Sequence, residues 1–377
     1  MWLRRILTFA LVCFVCGMLL VAAFMAAGAL PVQDFAQYWS AAHLVRQNPY
    51  SYSSVAQFER SQGIFTDPPL VLKNPPWSIP FILPIGLFSY RFAFAIWTLI
   101  SLVCLMASVR LMWQRLNPEP SSLKPLLVPL LFGPVLVQLM LGQWTILVFL
   151  GISVFLVCAE QRRDWLAGAA LVLVFGKPHV ALLFLIVVAL WAVQQRRWRL
   201  LLSSSLALLA ASAIVTAVNP HIWTQFLQRT ILVMHETEIY PNLGGMLYAT
   251  FGRHYVAYFP QLCGLVWVLI YWRKHGRHWN WWDHGTVVLL CSVVCSYYSY
   301  PYDEILALPA LLIAFANSAS RAFLILFVLT EAGYAVYLSN VAGHFGYGYT
   351  FLWWTASGWL IAFAAYRLQT RQRQQTG

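Results

Sequence analysis

The 377-residue chain is 60% hydrophobic and only 10% charged, with a mean hydropathy of +0.67, whereas a soluble domain carries roughly a quarter charged residues. No water-soluble fold of this length can hide so much apolar surface, so the bilayer has to serve as its solvent. The net charge of +12 comes in short clusters between apolar runs, at Arg4-Arg5, Arg162-Arg163, Arg196-Arg197-Arg199, Arg273-Lys274-Arg277 and Arg367-Arg371-Arg373; this is the pattern of cytoplasmic loops, and it excludes a nucleic-acid binder, which needs a longer basic surface.

Spans follow from the apolar runs and their orientation from Lys and Arg placement. The run from Ile6 to Leu30 resembles a secretory signal, but its full span length and the spans after it make it an uncleaved first helix, about 6–29, that leads outward. Residues 34–74 form a first outer loop. Within it, Asp34 to Val45 sets Phe35, Tyr38, Trp39, Ala42 and Val45 on one face, which predicts an amphipathic helix lying in the interface. Asn48-Pro49 ends that helix. Asn74-Pro75-Pro76-Trp77 then opens a proline-punctuated segment up to Tyr90. It reads either as an interfacial or re-entrant helix or as a short first pass.

Passes follow at about 92–113, 125–141 and 144–159, with Gly142-Gln143 at an outer turn. Residues 165–195 lie between two basic clusters and therefore make two short passes, turning near Gly176-Lys177-Pro178-His179. A pass at about 200–218 reaches a second outer loop, 219–256. Runs at about 257–272, 285–297, 305–317, 322–339 and 350–366 complete a single membrane domain over 1–377, with both termini cytoplasmic. The expected fold is all-α, a polytopic transmembrane helix bundle of about 11–13 spans in the plasma (inner) membrane. The seven cysteines all sit in apolar runs, and Cys13–Cys16 has no second pair, so they read as small apolar fillers rather than metal or redox groups.

Lys and Arg alone orient the spans, yet Asp34, Gln143, Lys177, His179, His235, Glu236, Arg253, Asp303 and His344 all fall on the outer side. Asp34 directly follows a span; it suits a general base taking a proton from an attacking hydroxyl, or the N-cap of the next helix. Asp303-Glu304 follows a Tyr-rich turn, Tyr297 to Tyr302. These carboxylates read as helix-terminal groups or as groups that orient a sugar hydroxyl or bind a cation, with the tyrosines and Trp77 as stacking surfaces. Lys177 between two apolar halves is costly unless paired or functional; an anionic phosphate suits it, and snorkelling is the alternative. Arg253 and His254 are weaker phosphate candidates. His179, His221 and His344 read as structural, and His235, Glu236 and Glu238 lack metal-site spacing. The absence of a P-loop, a GxGxxG loop and a GxSxG elbow leaves ATP-driven and serine-hydrolase chemistry without support.

Gln33-Asp34-Phe35 with Tyr38 resembles the early-loop acidic site of the GT-C superfamily of membrane glycosyltransferases. More narrowly, Asp34 to Tyr50, Asn74 to Pro84, Gly142-Gln143, Ala167-Gly168 through Lys177-Pro178, and Ser299 to Leu308 together resemble the polyprenyl-phosphate-mannose-dependent enzymes of glycosyltransferase family 87. The resemblance covers most of residues 30–310. It implies transfer of one sugar, mannose favoured, from a polyprenyl-phosphate donor to a lipid or glycan hydroxyl on the extracytoplasmic face, with inversion. Asp34 is then the catalytic base. Lys177, Arg253 and His179 bind the donor phosphate; Tyr38, Trp77, Gln143, Tyr302, Asp303 and Glu304 bind substrate. No metal and no cofactor is called for. Two features depart from the pattern: a single early-loop carboxylate where many GT-C enzymes have a pair, and no matching motif after residue 310. A transporter or flippase of a lipid-linked sugar and a non-catalytic accessory subunit stay open as alternatives. A transporter would place its ionisable groups near the midplane and show repeat symmetry.

Overall fold

A computed structural model of the chain describes residues 34–64, 68–116, 124–233, 239–316, 321–341 and 350–376. The expected first helix, Cys13–Cys16, His235, Glu236, Glu238 and His344 lie outside the described residues. Within them the protein is all-α. Helices α1 (Phe35–Leu44) and α2 (Tyr52–Ser61) precede a broken helical stretch, α3 (Pro76–Leu87). The long α4 (Tyr90–Leu116) follows, then α5 (Lys124–Leu130), α6 (Gly133–Leu141), α7 (Thr145–Glu160), α8 (Asp164–Phe175), α9 (Leu182–Gln194) and α10 (Trp198–Val218). The chain continues through α11 (Ile222–Val233), α12 (Leu243–Phe251), α13 (Phe259–His275), α14 (Thr286–Val294), α15 (Leu308–Ala316), α16 (Arg321–Val341) and α17 (Thr355–Thr376).

Three helical stretches are long and apolar enough to cross a bilayer, Tyr90–Leu116, Trp198–Val218 and His254–His278. At 1.5 Å per residue the 27 residues of α4 reach about 40 Å, beyond a hydrocarbon core of about 30 Å. The apolar stretches Pro76–Leu87, Thr145–Glu160, Asp164–Phe175 and Pro178–Gln194 are shorter. Their environments differ as well. On α10 and α13, Leu202, Leu206, Leu209, Leu262, Val266 and Ile270 face outward and are exposed. Apolar groups turned out in this way suit lipid. By contrast α7 buries residues on every side, from Thr145 and Ile146 to Phe155, Leu156 and Ala159. It packs on α8, α4 and the 3-10 turn Pro301–Ala307, and so forms the centre of the bundle. The partner α8 packs in turn on α10, where a Cβ at Gly168 would lie 2.2 Å from the Leu200 carbonyl oxygen.

Helix α1 is covered on both sides, more than its amphipathic pattern predicts. Phe35, Tyr38 and Trp39 are buried, as expected of its apolar face, but Ala36, Gln37, Ser40 and Ala41 on the other side are buried too, and only His43 is exposed. Ala36, Ser40 and Ala41 are short enough for α2, α3 and α4 to pack closely on α1. Small residues at helix contacts allow this close approach.

The two ends of α7 are chemically unlike. Its C-terminal end leads to the turn Gln161–Arg163, where Glu160 pairs with Arg115 at 2.5 Å and Asp164 pairs with Arg197. Its N-terminal end, at Thr145, carries the cluster described next.

Candidate active site

Asp34 stands at the start of α1 in helical conformation, without a capping bond to its own helix. The capping role considered from sequence is therefore not what its side chain does. Instead, Gln143 Nε2 donates to Asp34 Oδ2 at 2.6 Å. The Gln143 carbonyl accepts from the Tyr38 hydroxyl at 3.0 Å. The Gln143 amide is thereby fixed at both ends, with its nitrogen toward the carboxylate. Gln138 Nε2 also donates to the Gln143 backbone oxygen.

The turn that presents Gln143 depends on Gly142. Its φ of +66° ends α6 in the left-handed region, which glycine adopts without a Cβ penalty. A Cβ there would sit 2.8 Å from Phe35 Cβ, so glycine also lets α1 approach. Trp97 Nε1 donates to the Gly142 oxygen at 2.8 Å and holds the turn from α4. Tyr38, at 1% exposed, and Gln143, at 4%, are buried, while Asp34 is only half-buried.

A second polar group lies beside the first. Lys177 Nζ donates to Asp303 Oδ1 at 2.6 Å and to Thr145 Oγ1 at 3.4 Å. The Thr145 hydroxyl donates to the same Oδ1 at 2.6 Å, and the Tyr300 N–H donates to Oδ2 at 3.0 Å. The last bond is the reach-back half of a capping box, which opens the 3-10 turn Pro301–Ala307. The Lys177 ammonium also lies 4.5 Å over the Tyr302 ring. A charge buried this deeply is sustained only by a partner plus hydrogen bonds to the remaining lone pairs, and here both are present. The turn carrying Lys177 is tied down by Asn74 Nδ2, donating to the Gly176 oxygen at 2.7 Å, and by Trp77 Nε1, donating to the Phe175 oxygen at 2.8 Å. The two groups feel one another, since the charge of Asp34 acts on Lys177 and on Tyr302.

Asp34, Tyr38, Gln143, Lys177, Tyr302 and Asp303 thus come together, from four separate parts of the chain. Tyr38, Gln143, Tyr302 and Asp303 meet one another or Lys177 rather than the surface. Trp77 spends its N–H on backbone and packs its ring on Trp223 at 5.8 Å. His179 sets its ring edge-on to Tyr298 at 4.8 Å, and its buried Nε2 has no hydrogen-bond partner among the described residues. Glu304 adjoins Asp303 in sequence but accepts from the Thr355 hydroxyl at the start of α17, which ties the C-terminal helix to the site. Arg253 is exposed and donates to the Tyr255 hydroxyl at 2.8 Å, outside the buried network. Among the described residues no group of three or more His, Cys, Asp and Glu side chains is placed to hold a metal ion.

The sequence assigned no site role to Lys73, Asn74 or Thr145. Lys73 lies 5.2 Å over the Tyr298 ring. A signal for it was present: Lys73 is a basic residue in a predicted outer loop, against the positive-inside trend. For Thr145 no local signal exists, because its partner Asp303 lies 158 residues away in the chain.

The family model of glycosyltransferase family 87 matches residues 72–296, more than half of the chain. The chain belongs to glycosyltransferase family 87. It is a glycosyltransferase with membrane helices. No curated protein and no solved structure matches it. Within this family 87 enzyme the matched stretch holds Lys73, Trp77, Gln143, Thr145, Lys177, His179 and Arg253, whereas Asp34 and Tyr38 precede it and Tyr302, Asp303 and Glu304 follow.

Proposed function

We propose that this glycosyltransferase transfers one sugar, mannose favoured, from a polyprenyl-phosphate donor to a lipid or glycan hydroxyl on the extracytoplasmic face, with inversion at the anomeric carbon. The observation that carries the reading is the 2.6 Å bond from the Gln143 amide to Asp34, backed by Tyr38. The amide N–H can only donate, so it favours the ionised carboxylate of Asp34, which is the state a general base requires. Its half-burial leaves it reachable by an acceptor hydroxyl.

In this reading the acceptor oxygen attacks the anomeric carbon from the face opposite the phosphate. Its proton passes to Asp34, and the bond from the anomeric carbon to the phosphate oxygen breaks. The electron pair leaves with the polyprenyl phosphate. Gln143 and Tyr38 are positioning residues, and Asp303 acts through Lys177. The placement of this cluster at one end of α7, with Arg115–Glu160 and Arg197–Asp164 at the other, fits an active site on the side opposite the basic turns. Family membership favours the enzyme over the transporter and the accessory subunit.

The test uses the full chain in lipid bilayers with a mannosyl polyprenyl phosphate and an acceptor lipid extract. Release of polyprenyl phosphate is expected from the native chain. Asp34→Asn should lower it by about 10²–10⁴-fold, the range of a general base, without change in thermal unfolding. Native turnover by Asp34→Asn would overturn the assignment of the base.

A further inference from the structure

The turn between α8 and α9 carries two polar side chains with different fates. Lys177 is committed to Asp303 and Thr145. Two residues on, in the 3-10 turn Pro178–Ala181, the buried Nε2 of His179 has no hydrogen-bond partner among the described residues. Histidines elsewhere in the molecule do spend a ring nitrogen: His43 meets the Trp39 carbonyl oxygen at 3.0 Å, and His284 the Tyr271 hydroxyl at 2.7 Å. A buried polar atom without a partner is costly, and in a native fold it calls for a group from outside.

His179 is held in place before any ligand arrives. Asn74 and Trp77 donate to the carbonyl oxygens of Gly176 and Phe175. Just past the turn, the Leu183 N–H donates to Ser292 Oγ on α14 at 3.1 Å. The imidazole also closes an arc of rings. It meets Tyr298 at 4.8 Å, Tyr298 meets Tyr300 at 5.5 Å, Tyr300 stacks on Tyr302 at 5.2 Å, and Tyr302 lies under Lys177. The arc thus begins and ends on one turn, beside the lysine on which the charge of Asp34 acts. Tyrosine rings offer apolar faces with polar tips, a lining that suits a sugar.

Burial, then the charges of Lys177 and Lys73, hold the imidazole well below its ordinary pKa. Near neutral pH the ring is therefore uncharged, with one N–H and one lone pair. A charged phosphate oxygen can only accept, and a neutral imidazole brings no charge to meet it. A hydroxyl both donates and accepts, so it satisfies Nε2 in either tautomer. We propose that His179 is a specificity-determining residue, whose Nε2 takes one hydroxyl of the sugar carried by the donor and leaves the phosphate to other groups. The inference rests on the donor reading above. Tyr298 stands in the non-helical segment 296–300, so its ring can turn aside to admit the sugar without breaking a helix. A site built to bond a hydroxyl rejects the analogue that lacks it, because the site's own polar atom is then left unpaired.

The experiment uses the full chain in lipid bilayers, an acceptor lipid extract, and mannosyl polyprenyl phosphates that each lack one sugar hydroxyl. The native chain should use one of these donors at least about 100-fold less efficiently than the parent. His179→Phe should lose that discrimination and use the parent as poorly as the deoxy donor. Its binding of sugar-free polyprenyl phosphate should stay native, which also reports an intact fold. His179→Gln, which keeps a donor and an acceptor, should recover part of the preference. Equal use of the parent and every deoxy donor by the native chain would overturn the inference without any variant. So would a His179→Phe chain that keeps the native preference, or one whose binding of polyprenyl phosphate falls as far as its transfer; all three leave the donor reading standing. A native chain that releases polyprenyl phosphate from none of these donors, the parent included, would overturn the donor reading and this inference with it.

Discussion

The two ends of α7 carry ion pairs of nearly the same length and of opposite character. Lys177–Asp303 spans 2.6 Å with side chains 6% and 0% exposed; Arg115–Glu160 spans 2.5 Å with side chains 54% and 35% exposed. Distance therefore does not distinguish them. At the exposed end, water and salt screen the charges, and such pairs contribute about 0–1 kcal/mol. At the buried end each charge has given up its hydration and depends on the other, so removal of one leaves an uncompensated ion. The exposed pair joins the ends of α4 and α7, whereas the buried pair belongs to the wall of the candidate site.

That contrast can be broken by mutation. The largest effect on stability is expected for Lys177→Met or Asp303→Asn alone, about 3–5 kcal/mol, seen as a lower unfolding midpoint in detergent. Lys177→Met with Asp303→Leu should recover most of that loss, because an apolar pair no longer needs hydration, while sugar transfer stays low. If the double variant is as unstable as the singles, burial is not the source of the cost. Next comes Gln143→Leu, which leaves Asp34 Oδ2 without its donor and frees the Tyr38 hydroxyl. Turnover at saturating donor should fall about 10–100-fold, equivalent to about 1.4–2.7 kcal/mol, with the fold retained.

Smaller effects belong to the other end. Arg197 is 14% exposed, pairs with Asp164 and also donates to the Ala159 oxygen at 2.9 Å. Arg197→Ala should cost about 1–3 kcal/mol, the penalty for unsatisfied part-buried groups. Arg115→Ala should cost less than about 1 kcal/mol, and less again in high salt. A cost for Arg115→Ala equal to that of Lys177→Met would show that the two ends do not differ in solvation as described.

The same contrast explains how much of the protein was legible beforehand. The short passes on either side of Gly176-Lys177-Pro178-His179 are visible in the sequence because two basic clusters bracket them, and helices α8 and α9 lie there. Asp34 stands out because it follows an apolar run, and Lys177 because a lysine in an apolar setting demands a partner. The partner itself is not visible. Asp303 stood among several candidates, and its neighbour Glu304 looked equivalent, yet the 3-10 turn sends one carboxylate to Lys177 and the other to Thr355. Helix α1 shows the same limit: its apolar face was legible, but the burial of its other side was not. Periodicity records which side is apolar, but whether small residues such as Ala36, Ser40 and Ala41 meet lipid, water or another helix depends on what packs there.

From its sequence alone the chain is determined to be a membrane-embedded helical protein, since its composition leaves no other solvent for its surface. The order of its motifs pointed to the family. Tertiary structure decided which polar residues meet: Gln143 with Asp34 across 109 residues, and Lys177 with Asp303 across 126. A carboxylate has the same chemistry wherever it stands in the chain. Whether it serves as a base or as the counter-ion of a lysine follows from burial and from the donors that the fold brings to it.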